Sequence, residues 1–102
     1  MPAVIRELRR QAAVVMGKSH TTEFAFGGTG ANIHWGAPRN PWGGGGHRSP
    51  GGSSSGAGVS LGEGSAVLAL GTDTGGSVRI PASFTGNVGL KLTAGRWSCE
   101  GI

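Results

Sequence analysis

The sequence predicts an α/β layered fold, and three observations carry that expectation. Residues Pro2 to Gln11 set Ile5, Leu8 and Ala12 on one helical face, at i, i+3 and i+7. Ala13-Val14-Val15-Met16 follows at once as a short apolar run closed by Gly17, which reads as a buried strand. Two further apolar runs, Ala66 to Leu70 and Val88 to Leu92, are strand candidates of the same kind. A helix followed by a buried strand is one unit of a layered α/β arrangement.

The remaining elements follow from punctuation. Pro2 suits the first turn of the N-terminal helix, where its missing N–H costs nothing. Residues 27 to 56 are rich in glycine and proline and read as loop. Within them Arg39-Asn40-Pro41-Trp42 is a turn. Gly43 to Gly46 taken alone reads as a flexible linker. A short helix is expected over residues 57 to 64, weakened by Gly58, Gly62 and Gly64. Ser77 to Phe84 is expected to begin a short helical turn. No internal repeat is present.

At 102 residues the chain is one domain at most. Gly and Pro make 27 positions, and Leu, Ile, Val and Phe only 20, so little apolar surface is available to offset ordering entropy. The formal charge is +4, but the basic residues are scattered and only Arg9 and Arg10 are adjacent. A nucleic-acid binder clusters its charge on one face and interleaves aromatics, which argues against that class here. The single cysteine, Cys99, rules out an intrachain disulfide and makes a cytoplasmic location the default. No run approaches the 18 apolar residues of a membrane span. The N-terminus carries Arg6, Glu7, Arg9 and Arg10 and has no apolar stretch typical of a secretory signal.

Several chemistries are excluded or disfavoured by spacing. Gly52-Ser53-Ser54-Ser55-Gly56 matches G-x-S-x-G, but that nucleophile elbow needs a histidine after the serine. His20, His34 and His47 all precede it. Gly17-Lys18-Ser19 ends like a phosphate-binding loop, yet Ala12 stands where the first glycine is required. His20, Glu23, His34 and His47 lack regular metal-ligand spacing and read as isolated surface side chains, so no metal and no cofactor is expected.

The segment from Gly51 to Ala82, GGSSSGAGVSLGEGSAVLALGTDTGGSVRIPA, is different. Ser53 and Ser77 each follow a glycine and lie 24 positions apart. Behind the Ala66 to Leu70 run, Gly71 to Gly76 expose successive backbone N–H groups where a helix begins. Such a nest is a ready oxyanion hole, formed by the N–H groups of Thr74, Gly75, Gly76 and Ser77. An unactivated serine hydroxyl needs a base, and no histidine is placed to serve Ser77.

This stretch resembles the signature of the amidase signature family, whose members split amide C–N bonds with a Ser-Ser-Lys triad. The serines, Asp73, Gly75, Ser77, Arg79 and Pro81 match at the family's spacing. Gly17-Lys18-Ser19 through Glu23-Phe24-Ala25-Phe26-Gly27 is similar to its GK-x-x-x-x-EFAFG element. Gly36 to Trp42 resembles the loop leading into the signature. Gly89-Leu90-Lys91-Leu92-Thr93-Ala94-Gly95-Arg96 resembles its GLKPTxGR, with Leu92 in place of proline. Nearly all of the chain is covered.

The resemblance implies a partial amidase domain over residues 1–102, with a mixed β-sheet core flanked by helices and joined by glycine-rich loops. It implies that Ser77 is the nucleophile that forms an acyl-enzyme. Ser53, preceded by a cis peptide bond in the family, relays the proton. Ser54 supports Ser53 by hydrogen bonding. Asp73 and Arg79 organise the site from behind the serines by this account, and equally well form a structural ion pair or loop cap. The family's lysine stands in an upstream element, and neither Lys18 nor Lys91 matches it.

The chain by itself is therefore expected to be inactive, marginally stable, and prone to associate with itself or with the rest of an amidase domain. The expected partner is a small-molecule amide, with no membrane. A non-catalytic remnant and an A-subunit-like part of a glutamyl-tRNA(Gln) amidotransferase stay open as alternatives.

Overall fold

A computed structural model describes all 102 residues. The chain forms three short α-helices: α1 (Ala3–Arg10), α2 (Ser55–Gly62) and α3 (Arg79–Thr85). A single 3-10 turn covers Glu23–Ala25. The N-terminal helix forms where the apolar spacing places it, with Pro2 one position before its first residue. It packs with the C-terminal segment: Ala3 N–H donates to the Glu100 carbonyl at 3.1 Å, and Arg6 lies 3.4 Å from the Glu100 carboxylate.

Helices α2 and α3 pack against each other and carry the signature segment. Three glycines fall within the eight residues of α2, a composition that disfavours an isolated helix by roughly 1 kcal/mol per glycine. Its stability comes from burial, since Ser55 to Val59 are all buried. Glycine at position 58 lets the two helices approach. A Cβ there would lie 2.9 Å from Thr85 Oγ1 and 3.0 Å from Pro81 Cβ. The helix begins at Ser55, two residues earlier than the sequence predicts.

The interior is polar in character. The buried apolar side chains are small, Ala57, Val59 and Ala82 with Pro50 and Pro81, while Ser53, Ser54, Ser55, Thr22, Asn40 and Thr85 are buried polar ones. Side chains close the orphan carbonyls at the end of α3. Asn40 Nδ2 donates to the Phe84 carbonyl at 2.8 Å, and Trp42 Nε1 donates to that of Thr85 at 2.8 Å. Asn87 Nδ2 links Thr85 Oγ1 (2.7 Å) to the Gly58 carbonyl (2.8 Å) on α2. The turn at residues 40–43 closes through Gly43 N–H to the Asn40 carbonyl at 3.0 Å. Gly43 to Gly46 forms a second hydrogen-bonded turn (3.2 Å) rather than a free linker.

The expected sheet is not formed within the chain. The single β-type pairing is an isolated antiparallel bridge between Asn32 and Gly36. The three strand candidates run without strand partners. Val14, Met16, Val67, Leu68, Val88 and Leu90 are exposed, at 63 to 102% of their full surface. A strand exists only when a neighbour completes its ladder, and these runs find none among themselves.

Candidate functional site

The site is assembled by backbone hydrogen bonds that tie three separate segments together. Ser54 N–H donates to the Ser77 carbonyl at 3.1 Å, which brings the two serine-bearing ends of the signature side by side. Ser54 Oγ and the backbone of Thr72 exchange hydrogen bonds, at 3.2 Å from Thr72 N–H and 3.3 Å to its carbonyl. Thr22 N–H donates to the Ser53 carbonyl at 3.0 Å, and Gly56 N–H to that of His20 at 2.9 Å. The GK-to-EFAFG element is thereby laced along the start of α2.

Ser53 is completely buried, and its Oγ has no hydrogen-bond partner in the chain. The Gly52–Ser53 peptide bond is cis, the arrangement that the family resemblance implies. Ser77 lies half-buried just before α3, and its hydroxyl is likewise free of any intrachain hydrogen bond. Ser53 and Ser77 are thus two hydroxyls held through the backbone of Ser54 between them.

Asp73 organises the Ser77 loop. Its Oδ1 accepts from Gly76 N–H (2.8 Å) and Arg79 Nη2 (2.9 Å). Its Oδ2 accepts from Val78 N–H (3.1 Å), Arg79 N–H (3.3 Å) and Arg79 Nε (3.0 Å). The Arg79 guanidinium, with further help from those backbone donors, holds the Asp73 carboxyl far below the usual carboxylate range, against the opposing effect of burial. One side chain is therefore an ion-pair partner and a cap on the backbone either side of Ser77, at Gly76 and at Val78 and Arg79 where α3 begins. Of the alternatives that the sequence left for Asp73 and Arg79, the structural ion pair and loop cap are formed.

The same network alters the expected oxyanion hole. Gly76 N–H is already taken by Asp73. The N–H groups of Thr74, Gly75 and Ser77 make no hydrogen bond within the chain, so three of the four expected donors are unpaired. The histidines do not form a site. His20 Nε2 lies 3.1 Å from the Gly30 carbonyl, and His34 faces Glu23 at 3.7 Å on the surface. Two residues that the sequence did not single out belong to the assembly. Thr72 holds Ser54, and Thr22 holds Ser53. Thr22 gave no signal, because a hydroxyl in a polar stretch reads as solvent-facing.

Comparison with known proteins bears on this arrangement directly. The amidase family model matches residues 2–102. The chain belongs to the amidase family. This amidase-family chain is 68% identical over 99 residues to a 2-amino-5-chloromuconic acid deaminase of Comamonas testosteroni, covering 97% of the chain and 21% of that protein. It is 50% identical to the glutamyl-tRNA(Gln) amidotransferase A-subunit of Symbiobacterium thermophilum, covering 97% of the chain and 20% of the relative. It is 47% identical to an indoleacetamide hydrolase of Pseudomonas savastanoi, covering 98% and 22%. The chain thus spans about a fifth of the length of these curated relatives. No solved structure is a significant match. No helix is long and apolar enough to cross a membrane.

Proposed function

We propose that this amidase-family chain supplies the nucleophile and the proton relay of an enzyme that hydrolyses C–N bonds of small amides. The observation that carries the proposal is the pair of serines. Ser53 Oγ is fully buried and unpartnered, and the N–H of the next residue, Ser54, binds the Ser77 carbonyl. A buried hydroxyl without a partner is costly, and such a group is retained where a reaction uses it.

In this mechanism Ser77 Oγ attacks the substrate carbonyl carbon. Its proton passes to Ser53, and Ser53 passes one on to a base. The base is a lysine outside this chain, as the family resemblance implies. The N–H groups of Thr74, Gly75 and Ser77 stabilise the oxyanion. The C–N bond breaks, the amine leaves with a proton returned through Ser53, and water then releases the acid from the Ser77 ester. The runs 13–16, 66–70 and 88–92 become strands of a mixed sheet once the rest of the amidase domain pairs with them.

The 68% identity to a protein named for deaminating a muconic acid favours a small organic acid derivative as substrate. The identity to an amidotransferase A-subunit supports a second reading, in which the ammonia released serves a partner protein.

The test is made on the complete protein, with a panel of small amides and glutamine. Ser77→Ala is expected to abolish turnover, and Ser53→Ala to lower kcat on the order of 10³-fold or more, as loss of a proton-transfer partner does. Mass spectrometry of a quenched reaction is expected to find the acyl group on Ser77. Undiminished hydrolysis by Ser77→Ala overturns the proposal. Inertness of the wild-type protein towards the whole panel favours a non-catalytic role.

A further inference from the structure

We infer that Thr22 is a positioning residue for Ser53. The inference rests on the assignment of Ser53 as the proton relay to Ser77, and adds a residue that neither the signature nor its spacing contains.

Thr22 is buried, with 7% of its surface exposed. It immediately precedes the 3-10 turn at Glu23–Ala25. Its backbone is held on both sides: Thr22 N–H donates to the Ser53 carbonyl at 3.0 Å, and Ala25 N–H returns to the Thr22 carbonyl at 2.9 Å. Its side chain is held against the residue before Ser53. A Cβ on Gly52 would stand 2.9 Å from Thr22 Oγ1, 2.7 Å from the Gly27 carbonyl oxygen and 2.9 Å from Gly30 N. Glycine is required at 52 because the Thr22 hydroxyl and this backbone occupy the space that any larger residue needs.

The chemistry of the hydroxyl gives the second line. Two side-chain polar atoms are buried in the chain without a hydrogen-bond partner, and they are Thr22 Oγ1 and Ser53 Oγ. One belongs to Ser53 itself, and the other lies against Gly52, the residue before it. Valine has nearly the shape of threonine and fills such a place without leaving a polar atom unpaired. A hydroxyl kept there at a cost points to a use beyond packing. A hydroxyl is uncharged, rotates freely, and donates or accepts as required. Thr22 therefore holds the Gly52-Ser53 backbone in the register set by the Ser54–Ser77 hydrogen bond. Its hydroxyl is also a neutral polar group against Gly52, the residue before a relay serine that exchanges protons during each turnover. No charged side chain is involved in either task.

The experiment uses the complete protein and its Thr22→Val, Thr22→Ser and Ser77→Ala variants. The readouts are hydrolysis of 4-nitroacetanilide, the rate of covalent labelling by a fluorophosphonate probe, and the melting temperature. Thr22→Val is expected to lose about tenfold or more in kcat and in labelling rate, with KM within about twofold, since misplacing a reacting group acts on the rate of the chemical step. Its melting temperature is expected to stay within about 3 °C of wild type. Thr22→Ser is expected to recover at least about half of the wild-type kcat, because it restores the hydroxyl.

Wild-type rates in Thr22→Val overturn the inference, as does a Thr22→Ser variant as slow as Thr22→Val, which assigns the effect to the methyl group. A Thr22→Val variant that fails to fold assigns the residue to packing, and Thr22→Ala against Thr22→Ser then repeats the comparison. Labelling that persists in Ser77→Ala removes the nucleophile assignment itself, a result separate from failure at Thr22.

Discussion

An Asp73→Asn variant keeps the shape of the side chain and removes its charge. The wild-type carboxylate accepts five hydrogen bonds, two at Oδ1 and three at Oδ2, and its side chain is 3% exposed. An amide offers one acceptor oxygen. If that oxygen takes the place of Oδ2, the amide nitrogen faces Gly76 N–H and Arg79 Nη2, both of them donors.

The buried Gly76 N–H is then left unpaired, at about 1–3 kcal/mol. The Arg79 side chain is 53% exposed, so it turns to water and adds only about 0–1 kcal/mol. The expected loss is about 1–4 kcal/mol, a sizeable part of the 5–15 kcal/mol that typically holds a folded protein together. Denaturant unfolding of the complete protein at neutral pH measures it. The wild-type carboxyl is more acidic folded than unfolded, so its contribution is present above the ordinary carboxylate range and fades as pH falls below roughly 4. The gap between wild type and Asp73→Asn is therefore expected to narrow in acid. A loss below about 0.5 kcal/mol, or a gap indifferent to pH, refutes the bracing role assigned to this side chain.

Gly58→Ala is expected to destabilise the complete protein by about 1–3 kcal/mol, because the added methyl meets Thr85 Oγ1 at 2.9 Å and Pro81 Cβ at 3.0 Å. An unchanged thermal midpoint contradicts the close approach of α2 and α3. The 102-residue chain prepared alone is expected to associate as its concentration rises, since Val14, Met16, Val67, Leu68, Val88 and Leu90 are left uncovered. Sedimentation equilibrium reads this directly, and a dilute monomer with a sharp cooperative melt contradicts it.

Local signals in the sequence proved as good as the physics behind them. Helix α1 and the turn at Asn40 to Gly43 depend on nearby residues; the helix stands where periodicity placed it, and the turn one position later than the expected Arg39 to Trp42. The three apolar runs, read as strands, stand unpaired and largely exposed within the chain. A strand, though, is a property of a pair, and no residue in Val14-Val15-Met16 states where its partner lies. The glycine string before Ser77 announced free N–H groups. Which of them Asp73 takes depends on how the loop folds back three residues later, and spacing alone is silent on that. Thr22 was invisible for a related reason. Its burial is created by Gly52, thirty positions away, and nothing in its own neighbourhood marks it.

The polar interior has a consequence for how such sequences are recognised. From Gly51 to Val59 every residue is enclosed, and the room around them is measured in tenths of an ångström. Substitution in this stretch is therefore punished by crowding before any chemistry is touched. A pattern drawn from it is a fingerprint of geometry, written mostly in residues that never meet a substrate. A descendant that has lost its base or its pocket keeps the fingerprint for as long as it keeps the shape. In the proposed mechanism, whether a bearer of the pattern is a working enzyme is decided by far fewer atoms, the hydroxyls of Ser53 and Ser77 among them, than the pattern itself contains.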